Sequence, residues 1–454
     1  MPSDHEDTLG RRAFVGALAA GAGALAASPA MLSATMTAPR RQPRRRPNIV
    51  LVTADDLGYG DLSGYGRADY TTPLLDRLAA EGTRFTQAYS IAPICTPTRV
   101  GFMTGRYPAR HPIGLYEPLT QSPEHRQLGL DPAHPTVSSL LKAAGYTNAL
   151  FGKWHLGVKP EFGPNRHGFD EFFGPLNGAV DYVTHRTAEG EPDLYRNDVR
   201  VEETGYLTDL IADEAVRFIR QRREPFFLSH QGTAPHSPWQ RRGDPPAGPS
   251  VGPFDAGPGD RYPDMVRALD EAVGRILAAL ADARLAEHTL VIFASDNGGV
   301  RYSSMGGLAG GKAQLWEGGI RVPMFLRWPG VIPAAVTTAQ VATTLDLSAT
   351  IIAAAGAEPS VDHPLDGIDL LPILTGREPQ LERTVCWRTV QRTRHAAVRK
   401  GGWKYLRDEQ GEYLFDLVLD PGERRDRRGD EPTRFEALKN EYAAWEREML
   451  PPAR

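Results

Sequence analysis

Two uninterrupted apolar runs, each ending in acidic or amide side chains, constrain this chain more than any other feature. Asn48–Thr53 (Asn-Ile-Val-Leu-Val-Thr) leads through Ala54 to Asp55-Asp56. Thr289–Ser295 (Thr-Leu-Val-Ile-Phe-Ala-Ser) leads directly to Asp296-Asn297. Short apolar runs without polar alternation read as strands buried on both faces, and Pro225–Gln231 reads as a third. Helical patterns lie between them. One is Pro73–Glu81; another is Met265–Leu280, where Met265, Leu269, Val273, Ile276 and Leu280 fall on one helix face. Strands alternating with helices predict an α/β fold, a mainly parallel sheet flanked by helices. After about Gly376 the pattern changes to short alternating segments, Ala396–Val398, Trp403–Leu406 and Tyr413–Leu417, separated by Gly and charged turns. These predict a small C-terminal antiparallel sheet, followed by a helix over Thr433–Glu448. The expected division is a large segment 48–376 and a small one 377–454, with the edge near Thr375–Glu378.

In open parallel sheets ligands bind beyond the carboxyl ends of the strands. Two such ends would bring the carboxylates of Asp55, Asp56 and Asp296 and the amide oxygen of Asn297 together. Carboxylates that close repel one another unless a cation sits between them, and an all-oxygen set favours Ca²⁺, with Mg²⁺ second. The same side chains can equally cap the turns that follow strands.

At the N-terminus Arg11-Arg12 precedes an Ala/Gly-rich run from Gly16 to Ala27 and then a Pro/Arg-rich stretch. This pattern resembles a Tat export signal over 1–38, followed by a linker over 39–47. A spanning helix needs roughly 20 strongly apolar residues. The run here is shorter and poor in Leu, Ile and Phe, so no stable membrane insertion of the mature chain is expected. The expected partner is the Tat machinery and the expected location periplasmic or secreted. With 52 Lys+Arg against 56 Asp+Glu, the net charge of −4 offers no basic face for nucleic acid.

The two cysteines differ in context. Cys386, in Thr384-Val385-Cys386-Trp387, reads as a buried strand cysteine. A disulfide with Cys95 in an oxidising compartment stays open on sequence alone, though the surroundings of Cys95 speak against it. Those surroundings are Pro93-Ile94-Cys95-Thr96-Pro97-Thr98-Arg99, with Thr104-Gly105-Arg106 downstream. A neighbouring cation lowers a thiol pKa, as a thiolate enzyme would need. The cysteine-phosphatase loop, however, has an arginine where this chain has Gly101, which removes that reading.

Cys95-x-Pro97-x-Arg99 with the trailing Thr104-Gly105-Arg106 resembles the modification signature of type I sulfatases, arylsulfatase-like members of the alkaline phosphatase superfamily. Gly145–Gly157, containing Gly152-Lys153-Trp154-His155, resembles the second signature of that family, departing from it at Asn148 and Phe151. Pro235-His236-Ser237-Pro238 is similar to its histidine loop. Gly311-Lys312 with Glu317-Gly318-Gly319-Ile320-Arg321-Val322-Pro323 is similar to its last lysine segment. The resemblance runs from about Asn48 to Leu414-Phe415-Asp416 and Asp420-Pro421.

It implies an alkaline-phosphatase-like α/β domain with a small C-terminal sheet domain, and hydrolysis of aryl or carbohydrate sulfate monoesters to alcohol and sulfate. It also implies that a formylglycine-generating maturation enzyme oxidises Cys95. Asp55, Asp56, Asp296 and Asn297 would hold Ca²⁺ together with an oxygen of modified Cys95. Arg99 would steady the aldehyde hydrate, one hydroxyl of which attacks sulfur. Lys153, His236 and Lys312 would bind sulfate oxygens, with His236 or Lys312 protonating the leaving alcohol. His155 would take the proton of the second hydroxyl to expel sulfate.

Physical reasoning runs alongside. Lys153 and His155 are two apart and would face one way in an extended segment. Cations around the ester offset the charge that moves onto the leaving oxygen. Read singly, Lys153 is also a solvated charge and His236 a loop residue. A phosphodiesterase or phosphonate monoester hydrolase on the same fold is the nearest alternative. A sulfated-glycan-binding protein with unmodified Cys95 is a more distant one. Pocket walls are expected from Asn177–Arg186, Arg241–Tyr262 and Arg301–Met305, where Asp181, His185 and Arg301 read equally as contacts to a sugar or aryl group and as surface residues.

Overall fold

The computed structural model describes residues 46–223, 225–246 and 258–452; the export signal expected over 1–38 lies outside them. The strand Asn48–Ala54 is buried along its whole length at the centre of a ten-stranded sheet. On one side it pairs in parallel with Thr289–Ser295, and on the other with Phe226–Gln231. The parallel block continues through Thr147–Gly152 to Glu171–Gly174. Met324–Arg327 runs antiparallel to both Thr289–Ser295 and Thr83–Phe85. Val336–Thr338 then adds in parallel to Thr83–Phe85 at the edge.

A strand whose apolar residues run on without polar alternation must be covered on both faces, and this one is. Val50, Val52 and Ala54 point to one face, where they join the core beneath the helices Pro73–Ala80, Leu207–Gln221 and Tyr262–Asp282. Ile49 and Leu51 point to the other, against Cys95–Thr104, Val137–Ala143 and Thr344–Ala355. The sheet is therefore mainly parallel and flanked by helices, as the apolar runs predicted.

Leu207–Gln221 and Thr344–Ala355 are not among the helices expected from sequence. In Leu207–Gln221 the buried positions Leu207, Ile211, Ala215 and Phe218 keep helical spacing, with charged residues between them as in an amphipathic helix. Thr344–Ala355 is buried on nearly every side, so it shows no apolar stripe at all.

Thr384–Arg388, Ala396–Lys400, Trp403–Arg407 and Glu412–Asp416 form the second sheet, an antiparallel meander. The helix Pro432–Glu446 covers one face through Leu438 and Tyr442. The other face, with Val385, Trp387, Ala397, Leu406 and Phe415, packs on Tyr89, Ile91, Leu315 and Ile320. Cys95 and Cys386 are both buried and free, so no disulfide joins them. Among the described residues, no helix is long and apolar enough to cross a membrane.

A buried ionic knot ties the small sheet to the short helix Glu317–Ile320. Lys404 Nζ lies 3.0 Å from Glu317 Oε1 and 2.8 Å from Glu423 Oε1, and all three side chains are out of water. Tyr89 donates to Glu317 Oε2 at 2.7 Å. Burial pushes the Glu423 carboxyl up to about 7, with the Lys404 charge opposing and the Glu317 charge adding. Removing one partner of such a group leaves uncompensated buried charge. Lys404→Met is therefore expected to cost about 3–5 kcal/mol, read from the denaturant midpoint. A loss below about 1 kcal/mol, the range of exposed pairs, would contradict this account of the junction.

Candidate active site

The site is assembled at the carboxyl ends of the central strands. Ile94 is extended, and Cys95 opens the buried helix Cys95–Thr104, so its thiol lies at the positive end of the helix. Gly105 closes that helix in the left-handed conformation, φ 66°, which explains a glycine after Thr104. One turn in, Arg99 reaches back beneath Cys95. Its Nη2 lies 3.2 Å from Asp55 Oδ2 and 3.3 Å from Asp296 Oδ2. Its Nη1 donates to the Lys153 carbonyl at 2.8 Å and to Gln231 Oε1 at 3.1 Å.

The carboxylates follow directly from the strands. Asp55 is fully buried; Asp56 turns the chain sharply at φ 65° and accepts the Asn297 amide at 2.8 Å. Asp296 Oδ1 accepts the Asp56 backbone N–H at 3.2 Å. Lys153 Nζ meets Asp55 Oδ2 at 2.6 Å, and Lys312 Nζ meets Asp56 Oδ1 at 2.6 Å. Ligand atoms of Asp55, Asp56, Cys95 and His236 all lie within 4.8 Å of one another. The structure thus brings every residue of the expected constellation to one end of the sheet.

Charge is unevenly compensated there. Burial alone would raise the Asp55 carboxyl, but Lys153, His236, Arg99 and Lys312 together hold it far below the usual range. Burial likewise opposes ionisation of Cys95, and Lys153 and Lys312 outweigh it, so the thiol is lowered. Asp296 behaves oppositely. Burial, then the charges of Asp55 and Cys95, push it well above a normal carboxyl. Asn297 Oδ1 is buried without a hydrogen-bond partner. An under-compensated carboxylate beside an orphaned amide oxygen fits a hard dication.

His155 is set by its surroundings. The strand ends at Gly152, whose φ is 119° and whose added Cβ would lie 1.8 Å from the Gln231 carbonyl oxygen. His155 itself is left-handed at φ 58°. The turn, and not the extended alternation expected from spacing, therefore aims Lys153 and His155. His155 Nε2 lies 3.0 Å from the Leu119 carbonyl, which can only accept, so the proton is on Nε2. Nδ1 is left as a buried lone pair with no partner. Burial and then the Lys153 charge hold the ring well below its ordinary pKa, hence neutral. His236 Nδ1 faces the Ser237 carbonyl at 2.6 Å, and its Nε2 lies 3.6 Å from Asp56 Oδ2.

Cys95, His155, His236 and Lys312 line a cavity of about 300 Å³ that opens past Leu119, Asn177, Thr187 and Arg392. Of the three expected wall segments, only Asn177–Ala179 contributes. Among the described residues, Arg241–Tyr262 and Arg301–Met305 do not line it. Asp181 is buried and accepts the backbone N–H groups of Val183 and Thr184. His185 is buried against the Gly205 carbonyl, and Arg301 lies over the Tyr302 ring. Asp181 and His185 thus have structural work that fixes them elsewhere, and Arg301 is exposed outside the cavity lining. The sequence reading also missed Gln231 as the partner of Arg99. Its one signal was its place at the end of a buried strand.

Known proteins resemble this chain over most of its length. A sulfatase family model matches residues 47–357, and an N-sulphoglucosamine sulphohydrolase C-terminal model matches 311–442. The chain is 38% identical to N-acetylgalactosamine-6-sulfatase of Canis lupus familiaris over 73% of its length, and spans 66% of that relative. It is 38% identical to human arylsulfatase A, covering 83% of this chain and 78% of that one. The crystal structure of Ps i-CgsB superposes with a TM-score of 0.82 at 32% identity, covering 90% of this chain and 94% of the other. The chain belongs to the sulfatase family of the alkaline phosphatase superfamily.

Proposed function

We propose that this protein hydrolyses sulfate monoesters, with residue 95 as nucleophile after its conversion from cysteine to formylglycine. The observation that carries the reading is the convergence of three buried carboxylates and the cations Arg99, Lys153 and Lys312 around Cys95, which itself lines a small cavity together with Lys312. In this reading residues 48–376 carry the chemistry and 377–454 form the smaller subdomain.

Asp55, Asp56, Asp296 and Asn297, with an oxygen on residue 95, would hold the cation, and their all-oxygen character favours Ca²⁺ over Mg²⁺. Bound there, the ion supplies Lewis acidity toward an ester oxygen and lowers the pKa of a ligated hydroxyl. The formylglycine hydrate supplies two hydroxyls where serine has one, so bond formation to sulfur and sulfate release can use different oxygens.

The chain's own residues do the rest. Lys153 and Lys312 offer ammonium donors where the ester's oxygens gather charge. Arg99 stays beneath residue 95, its Nη groups tied to Asp55, Asp296 and Gln231. His236 donates from Nδ1 to a carbonyl, which leaves Nε2 to deliver a proton to the leaving alcohol. His155 accepts at its unpartnered Nδ1 the proton that must leave residue 95 when sulfate departs.

An aryl or a carbohydrate alcohol can leave in this scheme. A relative at 32% identity has been solved in complex with k-i-k-neocarrahexaose, which supports the carbohydrate. A phosphonate monoester hydrolase of Agrobacterium radiobacter shares the fold at 20% identity, a likeness of fold alone. The ratio of kcat/KM for an aryl sulfate and a matched phosphate diester separates the two chemistries. The sulfate is expected to be preferred, and a preference for the diester would move the protein to the alternative.

Cys95→Ser is expected to lose turnover and, after exposure to substrate, to gain about 80 Da on the residue 95 peptide, since a serine sulfate has no second hydroxyl to expel it. Turnover near wild type would refute the mechanism. Chelator treatment is expected to abolish activity and lower Tm, with Ca²⁺ restoring both better than Mg²⁺. Full activity and unchanged Tm after exhaustive chelation would rule out a resident cation.

Passage through the Tat machinery after cytoplasmic maturation by a formylglycine-generating enzyme would make this protein an exported one. Its periplasmic or secreted placement is part of this proposal.

A further inference from the structure

The rim of the cavity carries a cation that the chemistry above leaves unused. Arg392 stands in the turn between Thr384–Arg388 and Ala396–Lys400 of the small sheet, yet it lines the same cavity as Cys95. Its side chain is exposed, and among the described residues no carboxylate pairs with it. Exposed arginines are ordinary; the support beneath this one is not.

Glu117, only 8% exposed, uses both carboxylate oxygens on the turn. It accepts the backbone N–H groups of Val390 at 2.9 Å, Gln391 at 3.0 Å and Arg392 at 3.3 Å. Gln391 Oε1 accepts the Glu117 N–H in return, at 3.1 Å. On the other side Thr393 Oγ1 donates to the carbonyl of Ala313, the neighbour of Lys312, at 2.9 Å. Burying a carboxylate to hold a surface turn is costly unless the turn must be held. What it holds is the backbone at Arg392, placed by these bonds close to the segment that carries Lys312.

The other charges on the rim complete the pattern. Arg126 is already paired, 3.0 Å from Glu191. Glu189 is exposed on the rim and repels an anion on its own side. An anionic group at the mouth is therefore drawn to Arg392. A cavity of about 300 Å³ has room for the ester and one sugar-sized group, so a group at the rim belongs to the next unit of a larger molecule.

We propose that Arg392 is a subsite for a second oxyanion, a carboxylate or a sulfate, on the unit next to the one bearing the scissile sulfate. The substrate class is then an acidic, multiply charged sulfated glycan. The guanidinium fork matches either oxyanion bidentately. This rests on the sulfatase reading of the same cavity.

The test uses three matched esters: a monosulfated disaccharide, the same compound with a uronate on the second unit, and the same with a second sulfate there. Their kcat/KM values are compared in wild type, Arg392→Ala and Arg392→Lys, each with residue 95 converted. Wild type is expected to prefer the doubly charged esters through KM, and to lose that preference as salt rises. Arg392→Ala should reduce the preference about tenfold, the scale of a charge-assisted hydrogen bond at a wet rim, and Arg392→Lys should fall between. The ester with the larger effect identifies the oxyanion. Equal preference in wild type and Arg392→Ala, or none in wild type, overturns the subsite. Hydrolysis of none of the three by wild type removes the sulfatase reading and the subsite with it, an outcome distinct from turnover without preference.

Discussion

Three carboxylates buried at the ends of neighbouring parallel strands set the terms for the rest of this structure. Asp55 and Asp296 are fully buried and Asp56 very nearly so. Taking such groups out of water costs several kcal/mol each unless opposite charge is supplied at hydrogen-bond distance. Lys153 answers Asp55, Lys312 answers Asp56, and Arg99 is shared between Asp55 and Asp296. Each cation comes from a different part of the chain, so the loops that deliver them are fixed by the same requirement. Cys95 lies inside this lattice of charge, 3.6 Å from Asp55, which makes position 95 electrostatically unlike Cys386, where burial pushes the thiol up.

The small sheet takes part in this arrangement. Its buried face covers the segment around Leu315 and Ile320, just beyond Lys312. Leu315 donates its backbone N–H to His395 Nδ1, and Glu317 accepts from Tyr89 while meeting Lys404. The helix Glu317–Ile320 returns to the first sheet through the Gly298 N–H, which donates to the Gly319 carbonyl next to Asn297. Lys312 is thus held between the Asp296-Asn297 turn on one side and the C-terminal sheet on the other.

Much of this was legible in the sequence, for a physical reason. Strands covered on both faces show no polar alternation to blur them, so Asn48–Ala54 and Thr289–Ser295 announce both the sheet and the ends where Asp55, Asp56, Asp296 and Asn297 converge. The Cys95 signature and the Lys153, His155, His236 and Lys312 segments are contiguous motifs, and a resemblance can carry those. What escaped is what the chain makes by returning to itself. Gln231 matters only because its strand lies beside Thr147–Gly152, which precedes Lys153. Glu117 matters only because a turn far along the chain lies on it. The expected wall residues Asp181 and His185 are absorbed by backbone turns, an outcome that a polar side chain in a loop does not disclose. The Lys153–His155 alternation was a correct grouping reached by the wrong geometry, since the positive φ of His155, not strand pleating, sets its direction.

The central claim is that residue 95 acts as an aldehyde, not a thiol. The direct measurement is the mass of the peptide containing Cys95, taken from a preparation that releases sulfate from an ester. A loss of about 18 Da relative to cysteine is the result predicted here, the change expected when the thiol becomes an aldehyde, whose hydrate carries the attacking hydroxyl. An unmodified Cys95 peptide from protein that still turns over sulfate esters would contradict it.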